Sequence, residues 1–168
     1  LAERYDDVDC SVGVHPLDVQ PGAAPALDWL LQELNHPRVV AIGETGLDYY
    51  RDYSPREAQR FAFERQIELA IAAGKPLFLH QRDAHEDFIA IVRAARDRIG
   101  HAVVHCYTGE RRELHDYLDL DLHIGITGWI CDERRGLHLR ELVRGIPAGR
   151  LMIETRNTGV GAVVTQEQ

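Results

Sequence analysis

The chain has 168 residues, 45% of them apolar and 27% charged, with a formal net charge of −8. That is enough for one globular domain with a substantial core. It excludes a broad electrostatic attraction to nucleic acid, so any phosphate substrate would have to be held by a metal or by a few arginines. No apolar run approaches the roughly 20 residues that span a bilayer, and no membrane partner is expected.

The start, Leu1 to Asp7, is charged, has no apolar segment of a signal peptide and lacks an initiator Met. The first strand-like run is Cys10–Val14, and His15 in Gly13-Val14-His15-Pro16 ends it. His15 either faces the site and touches substrate or is a loop residue fixed by Pro16. The second run, Val39–Gly43, leads into Glu44. Ser54 to Ala73 reads as the best helix, with Ser54 as N-cap, Pro55 in the first turn, Glu57 completing a capping box and Gly74 as the stop. Phe63, Ile67, Ala70 and Ile71 mark its buried face.

The third run, Pro76–His80, ends on His80, followed by a helix from Asp83 to Arg98 in which Asp83 is read as the cap. Arg82, two residues beyond His80, is either a clamp for a phosphate oxygen or a solvated surface arginine. The fourth run, Ala102–His105, ends on His105, and Cys106 beside it is read as a small core residue on the other strand face. Helices follow near Glu110–Leu118 and Leu137–Arg144, and strands at His123–Ile126 and Leu151–Glu154. Between them, Thr127-Gly128-Trp129 and the loop Cys131–Gly136 offer Trp129 for stacking on a base and Arg134 and Arg135 for phosphates. A charged exposed loop explains that stretch equally well.

Alternating strands and helices imply a parallel sheet with helical crossovers. No Gly-x-Gly-x-x-Gly loop follows a strand, which weighs against a dinucleotide fold. Polar residues at the ends of several strands weigh towards a TIM (β/α) barrel. About six strands are visible where that barrel has about eight, in a chain shorter than its usual ~250 residues. The expected fold is therefore α/β, an incomplete barrel of about six of eight strands. Three successive strands leading to Glu44, His80 and His105 suit a site for zinc, manganese, cobalt or iron. A carboxylate in such a site can bridge two metals about 3.5–4 Å apart. Cys10, Cys106 and Cys131 are too few and too scattered for a disulfide framework or a thiolate zinc site, and point to the cytoplasm.

Six stretches together resemble one known family. They are Gly13-Val14-His15-Pro16, AIGETGLDYY (41–50), LHQRDAHEDF (79–88), VVHCYTG (103–109), GITGWICDERRG (125–136) and LMIET (151–155). In order and spacing they resemble the TatD-related metal-dependent hydrolases, deoxyribonucleases of the bacterial branch above all. The resemblance implies an amidohydrolase-like barrel and a centre of one or two divalent metal ions (Mg, Mn, Zn or Co undistinguished). It implies DNA as substrate, cleaved at phosphodiester bonds by an exonuclease using metal-activated water. By motif position Glu44 would be the bridging and catalytic acid, and His80 and His105 the imidazole ligands. On the reading of the residues themselves, His15, Arg82, Trp129 and Arg134 are the candidates for contacting substrate.

Three departures stand out. The family's usual first-strand His-x-His pair has no counterpart. The chain starts at what resembles the third strand of the family barrel. Arg156 stands where the family pattern Glu-Thr-Asp-Ala-Pro has its Asp, a metal ligand and proton acceptor. The expectation is a partial barrel over residues 1–155 with an unrelated tail, 156–168, as an incomplete gene or a frameshift after the Thr155 codon would give. Activity of the chain alone is then expected to be weak or absent. The alternatives are a non-catalytic fragment that self-associates through open barrel edges, and an amidohydrolase acting on a cyclic amide or ester.

Overall fold

The computed structural model describes residues 2, 4, 5, 7–20, 24–134, 136–155 and 164–165, the side chains of 24–28 and 164–165 aside. The chain divides into two compact units, Leu1–Ala102 and Val103–Gln168.

In the first unit three strands pair in parallel: β1 (Cys10–Val12), β2 (Val39–Asp48) and β3 (Leu77–Arg82). Helices α1 (Ala24–Glu33), α2 (Arg56–Ala73) and α3 (His85–Ala95) follow them in turn. Strands are apolar on both faces because helices cover them, as in buried parallel sheets. Ile42, Leu47, Leu77 and Leu79 are almost fully buried, as are Phe63 and Ile67 of α2 and Phe88 and Val92 of α3. The rings of Phe63 and Phe88 stack at 5.2 Å. Helix α2 ends as expected, at Gly74 in the left-handed conformation (φ 62°).

Two caps differ from expectation. Pro55, not Ser54, is the N-cap of α2, and the Ser54 hydroxyl instead donates to the Leu17 carbonyl (3.2 Å). Asp83 does not cap α3; it has φ 52°, and the N-cap position falls on Ala84, whose N–H is taken by Gln81 Oε1 (3.2 Å). In both cases a short polar side chain next to a helix start has a competing backbone arrangement, which sequence spacing does not reveal.

The fourth strand, β4 (Ala102–Val104), opens onto the second unit, where it pairs in parallel with β5 (His123–Ile126), and β5 pairs in parallel with β6 (Leu151–Glu154). A two-residue strand, β7 (Val164–Thr165), lies antiparallel on β6. Helix α4 (Arg111–Asp119) starts on a true capping box, Glu110 with Glu113. Its Leu114 and Tyr117 pack inward with Leu122 and Ile124. Tyr107 meets Tyr117 edge-on, and its hydroxyl donates to the Glu110 carbonyl (2.6 Å). Burial, and then the charges of Glu113 and Glu110, push that hydroxyl far above the ordinary tyrosine range. A 3-10 turn (Gly128–Cys131) and helix α5 (Leu137–Leu142) lie between β5 and β6.

In each unit the parallel strands pair in chain order without reversal, which is the order of a (β/α) barrel and not of a doubly wound sheet. Among the described residues no helix is long and apolar enough to cross a membrane.

Candidate metal centre

Glu44 does not end its strand, as its sequence position suggested. Strand β2 continues to Asp48, and Glu44 sits in a bulge where the pairing with β3 slips between Ile42 and Thr45. A bulge re-aims a side chain without breaking the strand. The glycines of GETG make this bulge possible. Gly43 (φ 148°) and Gly46 (φ 145°) adopt backbone angles that L side chains avoid. A Cβ at Gly43 would overlap the Phe78 carbonyl, and one at Gly46 the His80 carbonyl. The β2 backbone thus lies directly on the strand that carries His80.

The result is a close group of three side chains from the first unit. Ligand atoms of His15, Glu44 and His80 all lie within 4.8 Å of one another. His80 Nδ1 is 2.7 Å from Glu44 Oε1, and His15 Nε2 is 3.2 Å from the same oxygen. The imidazole rings meet edge-on at 4.7 Å. All three side chains are about a fifth exposed, at 24%, 23% and 18%, so the group opens to solvent at one side. One carboxylate oxygen facing two imidazole nitrogens is a donor set suited to a divalent transition metal.

Behind His80 lies a residue that sequence reasoning missed. Asp48 is 2% exposed, and its Oδ2 is 3.1 Å from His80 Nε2. Its Oδ1 accepts the Arg51 backbone N–H (2.8 Å). Burial pushes the Asp48 carboxyl up, but the bond with His80, the Arg51 N–H and the positive charges of His80 and Arg82 together outweigh it. Asp48 is therefore held below the usual carboxylate value and stays an acceptor. An acceptor at Nε2 keeps a proton there and leaves Nδ1 on the side of Glu44, the arrangement of a carboxylate–histidine–metal chain. The signal was in the sequence: Asp48 lies in AIGETGLDYY, four residues after Glu44. Asp48→Asn should weaken Co²⁺ affinity by roughly 10- to 100-fold. A titration followed by cobalt absorption checks this; unchanged affinity would remove Asp48 from the site.

His15 is held differently. The Leu17 N–H donates to its Nδ1 (3.1 Å), so that lone pair is occupied. The neutral ring then carries its proton on Nε2, the atom facing Glu44. In this arrangement His15 is a hydrogen-bond donor at the site mouth; to act as a ligand through Nε2 it would have to shift the proton to Nδ1 and give up the Leu17 bond.

Helix α2 fixes both supports. Gln59 and Gln66 are fully buried. Gln59 Oε1 accepts the Asp48 N–H (2.9 Å), and its Nε2 donates to the Asp48 and Ser54 carbonyls. Gln66 Oε1 accepts the Val14 N–H (2.7 Å), and its Nε2 donates to the Val14 and Ala62 carbonyls. One amide thus clamps the backbone of Asp48, and the other clamps the residue before His15. The sequence reading named only the apolar members of this helix face. Gln59 and Gln66 share its spacing with Phe63, Ile67 and Ala70, and a polar residue in register with a buried stripe was the available clue.

His105 belongs to the second unit, just past β4, and is 5% exposed at its side chain. It has a buried carboxyl of its own: Glu154 Oε2 is 3.5 Å from His105 Nδ1. The same oxygen accepts the Cys106 N–H (2.9 Å). Cys106 has φ 48° and is half-buried, with Sγ 3.6 Å from Thr127 Oγ1; it is not a residue of the opposite strand face. Glu154 Oε1 is buried without a hydrogen-bond partner among the described residues.

The remaining sequence candidates are placed as follows. Arg82 is exposed at the end of β3 with its guanidinium on the ring of Tyr50. Trp129 is half-buried in the 3-10 turn, with its backbone N–H donating to Thr127 Oγ1 (3.4 Å). Arg134 is exposed, and its backbone N–H donates to Asp132 Oδ1 (2.9 Å). Arg135 and Arg156 lie outside the described residues.

Comparison with known proteins agrees with this geometry. The chain is 49% identical over 158 residues to the 3'-5' ssDNA/RNA exonuclease TatD of Klebsiella pneumoniae (strain 342), covering 92% of this chain and 59% of that protein. It is 50% identical to the protein of the same name from Edwardsiella piscicida, covering 92% of this chain and 60% of that one. The chain therefore spans about 60% of the length of these curated relatives. A crystal structure of a TatD homologue from Escherichia coli K12 superimposes with a TM-score of 0.81 at 30% identity, over 92% of this chain and 60% of that one. The fold is thus an incomplete (β/α) barrel of the metal-dependent hydrolase type. The family model described as TatD related DNase matches residues 1–156, and the chain belongs to that family.

Proposed function

We propose that this chain is a metal-dependent phosphodiesterase of the TatD type, acting on single-stranded DNA, and on RNA by the same chemistry, from one end. The observation that carries the reading is the convergence of Glu44, His80 and His15 with Asp48 buried behind His80. Glu44 Oε1 and His80 Nδ1 would hold the divalent metal. His105 is proposed as a further imidazole ligand from its motif position, with Glu154 as its orienting partner. When bound, such a metal polarises a phosphoryl oxygen and activates water near neutral pH.

The chain's own groups do the rest. Asp48 keeps the His80 proton on Nε2. His15 offers its Nε2 proton to an anionic oxygen at the site mouth. Arg82, Trp129 and Arg134 are proposed to contact the substrate, the arginines through phosphates and the indole through a base. Three scattered cysteines, Cys10, Cys106 and Cys131, suit the reducing cytoplasm as its compartment.

Arg156 limits this activity in the chain alone. It puts a cation where the family pattern has an anion. One such pair at about 4 Å is worth roughly 1 kcal/mol in water and about 4 kcal/mol at an effective dielectric of 20, and reversing the sign doubles the difference. The test is cleavage of a 5'-labelled single-stranded DNA in Mn²⁺. Weak shortening from one end is expected, abolished in Glu44→Ala and raised at least about tenfold in Arg156→Asp. Cleavage that survives Glu44→Ala would sink the reading.

A further inference from the structure

Beside the candidate metal centre, β2 and β3 end on a paired aromatic and cation. Asp48 and Arg82 are partners in the parallel register, and the Tyr49 N–H donates to the Arg82 carbonyl (2.9 Å), which anchors the Tyr49–Tyr50 backbone to the end of β3. The Arg82 guanidinium carbon lies 3.9 Å from the centroid of the Tyr50 ring. Tyr50 nevertheless remains 61% exposed. Arg82 makes no ion pair among the described residues, although other arginines of the same unit do: Arg98 with Glu68, Arg60 with Asp87, Arg56 with Asp52.

The adjacent tyrosine shows the contrast. Tyr49 donates its hydroxyl to Asp87 (2.7 Å), receives Arg60 (3.3 Å) and has Arg56 over its ring at 4.3 Å. Tyr49 is committed to structure; Tyr50 is not.

Two chemical consequences follow. A guanidinium held over an aromatic face by cation–π attraction spends none of its N–H donors on a hydrogen bond there, so they stay available to a phosphate. The stacked arginine is thus held ready, with little rotamer freedom left to lose. The tyrosine keeps most of its surface open to a second planar partner. Arg82 is two residues beyond His80 on the same strand face, about 7 Å along β3, which is about one nucleotide of extended chain. Long-range attraction is not available to a chain of net charge −8, so retention of a polyanion must come from contacts of this kind. Base stacking does not depend on charge or on sequence.

We propose that Tyr50 and Arg82 form a nucleotide subsite flanking the metal centre: the open face of Tyr50 stacks on a base, and Arg82 holds an adjoining phosphate. The assignment rests on the nuclease reading above. It adds what that reading lacks, a contact that distinguishes a nucleic-acid strand from a bare phosphate ester.

The test is fluorescence anisotropy of a labelled pentathymidylate with the full 168-residue chain in EDTA, so that no cleavage occurs. Tyr50→Ala is expected to weaken binding about 5- to 50-fold, and Tyr50→Phe to stay within about twofold because the ring is kept. The same oligomer with abasic residues should bind the parent chain weakly and be indifferent to Tyr50→Ala. Arg82→Ala should lower the slope of log affinity against log salt by about 0.7. Tyr50 is exposed, and circular dichroism should show its variants folded. If the parent chain binds and cleaves the strand but Tyr50→Ala binds equally well, or loses as much on the abasic oligomer, the subsite is refuted and the nuclease reading stands. If the parent chain neither retains nor cleaves the strand, both fall together.

Discussion

Replacing Glu44 with glutamine is expected to lower Mn²⁺ affinity at least a hundredfold while leaving the chain folded. Glu44 Oε1 is the one atom that both imidazoles face, at 2.7 and 3.2 Å. Glutamine keeps the length and the hydrogen-bonding capacity but removes the charge. A unit charge about 4 Å from another is worth about 4 kcal/mol at an effective dielectric of 20, close to a thousandfold in affinity. Partial exposure of the side chain takes that towards the lower figure. Folding should change little, since glutamine can keep a hydrogen bond to His80 and the side chain at this position is partly exposed. Isothermal titration with MnCl₂ at fixed pH decides the matter. A change below about fivefold would place the metal elsewhere.

The second large effect is expected in the other unit. Gly125→Ala should destabilise the chain by about 2–5 kcal/mol, although alanine is ordinarily the better strand residue. A Cβ at Gly125 would overlap Glu154 Oε1 and crowd its carboxyl carbon. Glu154 cannot move away freely, because Oε2 is held by the Cys106 N–H and lies 3.5 Å from His105 Nδ1. Its side chain is 0% exposed, so a displaced carboxyl has no water to turn to. The cost combines overpacking with a lost buried hydrogen bond. In thermal unfolding this corresponds to a fall of roughly 5–15 °C for a domain of this size. If the steric argument holds, Gly125→Ala together with Glu154→Ala should cost less than the two changes added separately, because the clash that Gly125→Ala introduces is absent once Glu154 is truncated. Strict additivity would refute it.

The strand–helix alternation and the parallel order were legible because each run is short, apolar on both faces and followed by a helical stripe. Strands β5 and β6 have the limits that the pattern suggested. Strand β2 did not, because two glycines at positive φ read as a strand end when they in fact permit a bulge that the strand passes through. The Glu44–His80 pair was legible from recurrence at neighbouring strands, and His15 from its place at the end of the first strand-like run. Asp48, Gln59, Gln66 and Glu154 were not, because each acts through a partner far away in sequence. A buried polar side chain looks like any other until its partner is known.

The two buried glutamines have a consequence beyond holding a backbone. Gln59 and Gln66 are two turns apart on one helix, and each accepts the N–H and donates to the carbonyl of a single residue, Asp48 at the end of β2 and Val14 just past β1. The two sides of the candidate centre are therefore referenced to a common ruler. A slide of α2 along its axis would carry the His15 and Asp48 supports in the same direction and by the same amount. Their spacing is protected from such drift in the way that two marks on one bar keep their separation wherever the bar is moved. Residues far from any metal can thus govern the tolerance to which the centre is built.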